Sequence, residues 1–286
     1  MTSFLSGKAA LTGVMGWPIA HSKSPRLHGY WLNQYGIDGA YVPLAVRPET
    51  LETALRALPL LGFRGVNLTI PHKELAMDIV DHVDPLAQRV GAANTILVRE
   101  DGSLEGRNTD VYGFSQNVKA GGFSPPKEGF TATVFGAGGA ARAVVVALQE
   151  MGVTEIRIVN RDQDRAQTLC ETLAGKNSFA VFSWEKAKDA LAETDLLINA
   201  TSLGMQGQPP LEIDLTPLPQ KAFVTDIVYA PLETPLLASA RARGLQTVDG
   251  LGMLLYQAAP AFAAWFGREP EVTPALRAHV LGGEKQ

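Results

Sequence analysis

The sequence predicts an α/β protein built as two domains, each around its own sheet. Two observations carry this prediction. Strand-like and helix-like segments alternate from one end of the chain to the other, which is the order that crossover connections between parallel strands require. The chain also has 286 residues, of which 46% are hydrophobic, so it can bury more core than one ordinary domain uses.

The alternation begins near the amino terminus and predicts a mainly parallel sheet. In the first half, the expected strands and helices cover residues 11–15, 25–35, 41–46, 48–61 and 65–70. The same rhythm resumes with a strand at 94–98, a helix from Asp110, and further segments at 131–135, 139–150, 155–159, 195–199 and 223–227. The segment 251–266 reads as one apolar, alanine-rich helix that is expected to return to the first domain.

The domain boundary is expected near Asp110. The stretch from Gly121 to Gly129 has the most linker-like composition, but it directly precedes a strand and is expected to close the first helix of the second domain. We therefore expect a first domain at residues 1–109, a second at 110–249, and a helical segment at 250–286 that packs on the first. Only the tail 282–286 looks frayed.

Charge and cysteine content exclude several classes of function. With 25 basic and 29 acidic residues, the net charge is -4, and no run of like charges favours nucleic acid or a membrane as a partner. Glycine and proline interrupt the apolar stretch Ala9–Ala20, which predicts a buried strand and turn rather than a signal peptide. Cys170, the only cysteine, can form no intramolecular disulfide and is expected to pack within a helix, which fits a cytoplasmic protein.

A glycine-rich loop follows the strand expected at 131–135. Gly136, Gly138 and Ala141 match the pattern G-x-G-x-x-A, and a helical segment follows immediately. Gly136 permits the tight turn, Gly138 lets a pyrophosphate approach the backbone, and Ala141 lets helix and strand pack closely. The N–H groups at the helix N-terminus then meet the phosphates. This context predicts a Rossmann-type, doubly wound parallel sheet that binds a dinucleotide.

The residues after the next strand favour NADP over NAD. An NAD site usually has an acidic residue there for the ribose 2′-hydroxyl, whereas this strand ends at Asn160 and is followed by Arg161 and Arg165, which can hold a 2′-phosphate. Asp162 leaves two alternatives open. A carboxylate that faces the phosphate repels it, whereas one that caps the following helix does not.

Four polar segments are expected where strands of the first half end, at residues 16–25, 67–73, 91–95 and 108–113. Because loops at the carboxyl ends of parallel strands converge on one crevice, their hydroxyl, amide, ammonium and carboxylate groups should gather there. Such a set suits a small ligand with several hydroxyl groups. Taken alone, Ser24 is expected to cap the helix that starts at Pro25.

Taken together, these segments resemble the shikimate dehydrogenase family, and the resemblance covers nearly the whole chain. It continues through residues 199–205, 226–229, 234–237 and 250–258. Members are NADP-dependent oxidoreductases that interconvert shikimate and 3-dehydroshikimate in aromatic amino acid (chorismate) biosynthesis. The resemblance implies that the substrate is held by Ser22, Ser24, Asn67, Thr69, Asn94, Tyr229 and Gln257. It implies a cofactor site lined by Gly136, Ala137, Gly138, Gly139, Ala140, Asn160, Arg161, Asp162, Arg165, Thr201, Ile227, Gly250 and Met253.

The resemblance also implies that Lys73 and Asp110 form the catalytic pair. Oxidation of a secondary alcohol requires the hydroxyl proton to leave as hydride departs, and the reverse reaction requires a donor or cation at the developing alkoxide. Lys73 can serve both purposes. The five histidines are scattered and form no ligand cluster with cysteine, so we expect no metal.

Alternatives remain for cofactor, activity and assembly. The family usually has Thr or Ser where this chain has Asp162, and this departure is the best evidence for the alternative, an NAD-preferring dehydrogenase of quinate and shikimate. A non-catalytic nucleotide sensor could keep the same fold, although it would not need both Lys73 and Asp110. A monomer and a homodimer both fit the sequence.

Overall fold

The computed structural model describes residues 5–282 and divides the chain into two compact units. The first unit runs to Thr109 and resumes at Leu254, and the second is Asp110–Met253. Apart from Gly282, the tail expected to fray lies outside the described residues. No helix within residues 5–282 has the length and apolar character needed to cross a membrane.

The first unit alternates strands and helices through its third strand and then adds several short elements. These elements are β1 (Ala10–Gly16), α1 (Ser24–Gln34), β2 (Gly39–Ala45), α2 (Leu51–Ala57), β3 (Phe63–Leu68), α3 (His72–Leu75), β4 (His82–Val83), α4 (Pro85–Val90), β5 (Thr95–Val98) and β6 (Leu104–Arg107). The buried strand and turn expected near Ala9–Ala20 are confirmed by β1. The helix expected at 48–61 is shorter than predicted, because α2 follows a 3-10 turn at Pro48–Thr50 and ends before Pro59, whose ring has no N–H to continue a helix.

The sheet of the first unit is mixed and has the order β2-β1-β3-β5-β6-β4. Strand β1 is parallel to both β2 and β3, but β5 is antiparallel to both β3 and β6. The turn between β5 and β6 is closed by the Arg99 N–H, which donates to the Ser103 carbonyl at 2.9 Å. A connection this short joins only antiparallel strands. The predicted α/β domain is thus confirmed, with fewer parallel pairs than the rhythm of the sequence predicted.

The second unit is a doubly wound parallel sheet. Its elements are α5 (Asp110–Ala120), β7 (Thr131–Phe135), α6 (Gly139–Glu150), β8 (Glu155–Val159), α7 (Gln163–Thr172), β9 (Ser178–Phe182), α8 (Ala187–Leu191), β10 (Leu196–Asn199), β11 (Phe223–Asp226), α9 (Pro235–Ala242) and β12 (Gln246–Val248). The strand order is β12-β11-β10-β7-β8-β9, and every pairing is parallel. The order in which strands are added to the sheet reverses between β7 and β10, and doubly wound sheets bind ligands at such a switch point. The predicted Rossmann-type fold is confirmed.

Two helices complete the described chain, α10 (Leu251–Phe266) and α11 (Pro274–Leu281). From Leu254 onward, α10 belongs to the first unit. The Trp265 Nε1–H donates to the Ile96 carbonyl at 3.1 Å, and the Arg64 Nη1–H donates to the Trp265 carbonyl at 2.8 Å. These bonds fix the carboxyl end of α10 against the strands of the first unit.

Candidate active site

Polar segments of the first unit meet at one edge of its sheet. The Thr69 N–H donates to the Met15 carbonyl at 3.0 Å, and the Leu68 N–H donates to the Asn94 carbonyl at 2.8 Å. The Asn94 N–H in turn donates to the Arg107 carbonyl at 3.0 Å. The segment 91–95 was expected to follow the end of a strand, but it lies at the start of β5. It still reaches this edge because β5 is antiparallel to β3.

Six buried side chains at this edge form what we call the amide network: Tyr41, Asn67, Asn94, Thr95, Thr109 and Gln257. The Tyr41 hydroxyl donates to Asn67 Oδ1 at 2.7 Å. Asn67 Nδ2 donates to the Asn94 carbonyl and to Thr95 Oγ1, both at 3.1 Å. Each polar atom of the Asn67 amide therefore has a defined partner, which fixes its orientation.

Asn94 lies at the centre of the amide network. Its Nδ2 donates to Thr109 Oγ1 at 3.0 Å and to Gln257 Oε1 at 3.2 Å, while its Oδ1 accepts the Thr109 N–H at 2.8 Å. Three predicted substrate residues, Asn67, Asn94 and Gln257, are thus brought together. Every side chain of the network is neutral, so it offers hydroxyl and amide groups without a net charge.

The remaining substrate residues expected in the first unit are Ser22, Ser24 and Thr69. Ser22 Oγ accepts the Ser24 N–H at 3.4 Å in the turn after β1. The expectation that Ser24 caps α1 is wrong. Lys23 is the N-cap and already has helical angles, with φ −88° and ψ −5°, so Ser24 is the first helical residue and no side chain caps the helix. Thr69 is half-buried beside β1, where its methyl group would contact any side chain placed at Gly16.

Lys73 is held by its backbone next to the amide network. Its carbonyl accepts the Ala93 N–H at 2.8 Å, one residue before Asn94. The preceding His72 is buried, and its Nε2–H donates to the Val46 carbonyl at 2.8 Å. These contacts fix α3 at the sheet edge. Asp110, the other predicted catalytic residue, is buried at the first position of α5 and belongs to the second unit.

The glycine-rich loop of the second unit has room for a phosphate group. Gly136 has φ +109°, and an added Cβ would lie 3.0 Å from the Ala200 carbonyl oxygen. At Gly138, the N-cap of α6, an added Cβ would approach only the Arg165 guanidinium, at 3.6 Å. Helix α6 has no side-chain cap and no acidic residue in its first turn. These features fit the pyrophosphate of a dinucleotide, which the N–H groups of the first turn would bind.

The loop after β8 resolves the two alternatives for Asp162. Its Oδ1 accepts the Arg165 N–H at 3.0 Å, so the carboxylate caps α7. Asn160 Nδ2 donates to the Asp162 carbonyl at 2.6 Å, and Arg165 Nε–H donates to the Ala137 carbonyl at 3.0 Å. The capping alternative is the one observed, and Arg165 reaches the glycine-rich loop.

Other predicted cofactor residues follow the central strands of the second sheet. Thr201 Oγ1 donates to Asn199 Oδ1 at 2.7 Å, and the Ile227 N–H donates to the Asn199 carbonyl at 3.0 Å. An added Cβ on Gly250 would lie 2.4 Å from the Ile227 carbonyl, so only glycine permits this approach. Two further members of the second unit are the buried Met253 and the half-buried Tyr229, which was expected to bind substrate.

Several residues of the amide network and its surroundings were not predicted from the sequence. Thr95 and Thr109 lay inside the polar segments, and Tyr41 is a buried polar residue of β2, but their partners are distant in sequence. His28 was also missed. It is fully buried, stacks on Tyr41 with ring centroids 4.0 Å apart, and has no hydrogen-bond partner for either ring nitrogen. Burial lowers the pKa of His28 to about 3.

A buried carboxylate, also not anticipated, lies behind the loops that follow β10 and β11. Asp226 Oδ1 accepts Asn199 Nδ2–H at 3.0 Å and the Val228 N–H at 2.9 Å. Its Oδ2 accepts the Thr234 hydroxyl at 2.7 Å. Burial raises the pKa of Asp226 to about 6, despite these donors.

Cys170 packs within α7, as expected, and burial raises the pKa of its thiol to about 11. Residues 5–282 contain no group of three or more His, Cys, Asp or Glu side chains arranged to hold a metal ion.

Family models match three parts of the chain. Residues 14–96 match the shikimate dehydrogenase substrate binding domain, and residues 124–206 match shikimate/quinate 5-dehydrogenase. Residues 250–278 match the shikimate 5'-dehydrogenase C-terminal domain.

Whole-chain comparisons agree with these matches. A shikimate dehydrogenase (NADP(+)) from Paramagnetospirillum magneticum is 58% identical, covering 97% of this chain and 100% of the relative. The structure of shikimate 5-dehydrogenase from Thermus thermophilus in complex with NADP(H) and shikimate has a TM-score of 0.83 and 38% identity, covering 95% of this chain and 98% of that chain. Quinate dehydrogenase from Corynebacterium glutamicum in complex with NAD has a TM-score of 0.88 and 32% identity, covering 96% and 99%. The chain therefore belongs to the shikimate dehydrogenase family.

Proposed function

We propose that this protein is an NADP-dependent oxidoreductase that interconverts shikimate and 3-dehydroshikimate, in the direction of shikimate during aromatic amino acid biosynthesis. The observation that carries the substrate assignment is the amide network. Its amides and hydroxyls are fixed by one another, and a ring that carries several hydroxyl groups needs such a neutral set of donors and acceptors. A relative that shares 38% identity was solved with both NADP(H) and shikimate.

The substrate is proposed to be bound mainly by residues of the first unit. Asn67, Asn94 and Gln257 contribute from the amide network, and the turn after β1 adds hydroxyl groups at Ser22 and Ser24. Thr69 and, from the second unit, Tyr229 complete the proposed set. Because the amides are already oriented, little side-chain entropy is lost when substrate binds.

The cofactor is proposed to be bound by the second unit. The N-terminus of α6, from its N-cap Gly138 to Ala140, would bind the pyrophosphate, while Gly136 and Ala137 shape the loop. NADP supplies the hydride acceptor for alcohol oxidation. The other proposed lining residues are Asn160, Arg161, Asp162, Arg165, Thr201, Ile227, Gly250 and Met253.

The position of Asp162 supports NADP over NAD. An acidic residue that selects NAD must present its carboxylate to the ribose 2′-hydroxyl, whereas the Asp162 carboxylate accepts the Arg165 N–H at the start of α7. Arg161 and Arg165 then supply the positive charge that a 2′-phosphate requires.

Proton transfer is proposed to fall to Lys73 and Asp110. Lys73 Nζ takes the proton from the hydroxyl group that is oxidised and returns it in the reverse direction. Asp110 is proposed to be the other member of the catalytic pair. The bond from Ala93 to the Lys73 carbonyl supports this role, because it keeps α3 next to Asn94.

Two alternative functions would use the same residues differently. An NAD-preferring quinate/shikimate dehydrogenase is supported by the likeness to the NAD-bound quinate dehydrogenase, and a non-catalytic nucleotide sensor would bind cofactor without turnover. We further propose a cytoplasmic location, since Cys170 is the only cysteine and a reducing compartment suits it.

The test compares the wild type with Lys73→Ala. We expect the wild type to reduce NADP in the presence of shikimate, and Lys73→Ala to lower kcat about 1,000-fold, within the range typical of a lost general acid–base group. Affinity for NADP, measured by calorimetry, should change less than about twofold. Lys119→Ala, at an exposed position of α5, is the control. Near-normal turnover of Lys73→Ala would exclude Lys73 from proton transfer, and a wild type that binds NADP but oxidises no substrate would favour the sensor.

A further inference from the structure

The two arginines of the loop after β8 are held in different ways. Arg165 is tied to the glycine-rich loop through its Nε–H, which donates to the Ala137 carbonyl at 3.0 Å. Arg161 is exposed, and its guanidinium makes no hydrogen bond or ion pair within residues 5–282. Its carbon Cζ instead lies over the indole of Trp184, 5.6 Å from the ring centroid. An aromatic face is therefore what orients Arg161.

Trp184 is itself fixed by the core of the second unit. Its ring packs edge to face against Phe135, with centroids 5.6 Å apart and an interplanar angle of 87°. Phe135 is the last residue of β7 and directly precedes Gly136. Trp184 also packs against the buried apolar cluster that contains Phe135. The Trp184 indole thus connects the end of β7 with the guanidinium of Arg161.

We propose that Trp184 is a positioning residue that determines cofactor selectivity by holding Arg161 for the 2′-phosphate of NADP. A guanidinium over an aromatic face keeps its N–H donors available to an anion. The indole also restricts the rotamers of Arg161 before the anion binds, so less side-chain entropy is lost on binding. NAD has no 2′-phosphate and gains nothing from this arrangement. The inference rests on the proposed NADP-dependent function and assigns a part of its selectivity to a residue outside the loop.

The test uses ligands that contain the adenosine end of the cofactor without its nicotinamide. The dissociation constants of adenosine 2′,5′-bisphosphate and 5′-AMP are measured by calorimetry for the wild type, Trp184→Leu and Trp184→Phe. We expect Trp184→Leu to weaken binding of the bisphosphate about threefold to fivefold, the size of an exposed cation–π contact, with 5′-AMP unchanged. Trp184→Phe, which keeps an aromatic face, should lie near the wild type.

A matched control and a double variant separate positioning from general damage. Ile213→Ala also shortens a partly buried side chain that packs against the same cluster, and it should leave the ratio of the two dissociation constants unchanged. In an Arg161→Leu background, Trp184→Leu should have no further effect on that ratio, because the group it positions is gone.

Two results would overturn the proposal: equal weakening of both nucleotides in Trp184→Leu, or a selective loss that persists in the Arg161→Leu background. Because neither nucleotide carries a nicotinamide, the binding result stands whether or not the protein oxidises shikimate. The proposed role of Trp184 and the proposed enzymatic function can therefore be contradicted independently.

Discussion

The two units prepare their ligand-binding surfaces by different physical means. The first unit relies on side chains: the Asn67 amide is fixed by Tyr41, Thr95 and the Asn94 carbonyl, and the Asn94 amide by Thr109 and Gln257. The second unit relies on backbone: Gly138 removes a side chain, and the first turn of α6 presents uncapped N–H groups. We propose that the first arrangement recognises the hydroxyl pattern of a small ligand and that the second binds the phosphates that dinucleotides have in common.

The amide network and the corresponding edge of the second sheet also differ in charge. The amide network contains no titratable side chain that ionises near neutral pH, whereas the corresponding edge of the second sheet contains Asp226, whose pKa burial raises to about 6. We therefore expect binding by the amide network to be insensitive to mild acid, and the stability of the second unit to change with pH. The following variants test each side of this comparison.

The largest effect is expected at Gly138. Its backbone is extended, with φ −91° and ψ −174°, so Gly138→Val should fold normally. The valine would occupy the space in front of α6 and weaken NADP binding about 100-fold, or about 2.8 kcal/mol. Calorimetry measures this loss. Gly29→Ala, at a helical glycine with open space around an added Cβ, is the control and should bind NADP normally. Unchanged NADP affinity in Gly138→Val would exclude phosphate binding at this helix.

Asp226→Asn should change how stability depends on pH. The folded-state pKa of Asp226 is raised from 3.8 to about 6, so its contribution is fully present below about pH 4 and is lost as the pH rises through about 6. Two pKa units correspond to about 3 kcal/mol. The unfolding free energy of Asp226→Asn minus that of the wild type should therefore increase by about 2–3 kcal/mol between pH 4 and pH 7. Denaturant titrations at both pH values measure it, and a constant difference would contradict the raised pKa.

Tyr41→Phe should weaken substrate binding with little effect on the chemical step. The variant leaves Asn67 Oδ1 without the hydroxyl that donates to it at 2.7 Å, so the amide loses one of the three hydrogen bonds that fix its orientation. We expect KM for shikimate to rise about tenfold, or about 1.4 kcal/mol, with kcat within about threefold. Tyr30→Phe, on α1 of the same unit, is the control. A fall in kcat alone would place Tyr41 in the chemistry rather than in the orientation of Asn67.

The smallest effect at neutral pH is expected at His28. Its two ring nitrogens are buried without partners, so His28→Phe should raise the unfolding free energy by about 1 kcal/mol at pH 7 while keeping an aromatic ring against Tyr41. Burial lowers the pKa of His28 from 6.5 to about 3, so its neutral form stabilises the fold above about pH 6.5 and this contribution is lost as the pH falls. The advantage of His28→Phe should grow by about 1.4 kcal/mol per pH unit below pH 6.5. His279→Phe, at an exposed position, is the control, and a gap that stays constant would show that His28 is not desolvated.

The difference between the units also explains what the sequence could predict. Strand β7, the glycine-rich loop and helix α6 are contiguous in sequence, and the predicted bounds of β7, α6 and β8 agree with those observed. Local patterns suffice there because glycine positions and hydrophobic periodicity determine the backbone directly. The short strands β4 and β12 carry too few residues to form a pattern and were not predicted.

The amide network could be predicted only in part. Its bonds join Tyr41 to Asn67 across 26 positions and Asn94 to Gln257 across 163, and such contacts depend on strand order and direction. Strand β5 is an example, because its antiparallel direction follows from the short turn to β6 and not from the alternation of segments. Asp162 required the structure as well, because the same residue type can cap a helix or face a ribose.

We propose that one unit selects shikimate and the other selects NADP, and one experiment tests both selectivities. The purified protein is assayed with shikimate and with quinate, each paired with NADP and with NAD, and the four values of kcat/KM are compared. We expect the pair of shikimate and NADP to exceed each of the other three at least tenfold. Preference for NAD would contradict the roles assigned to Arg161, Arg165 and the capping Asp162. Equal turnover of quinate would contradict the role assigned to the amide network. Either result would favour a quinate/shikimate dehydrogenase.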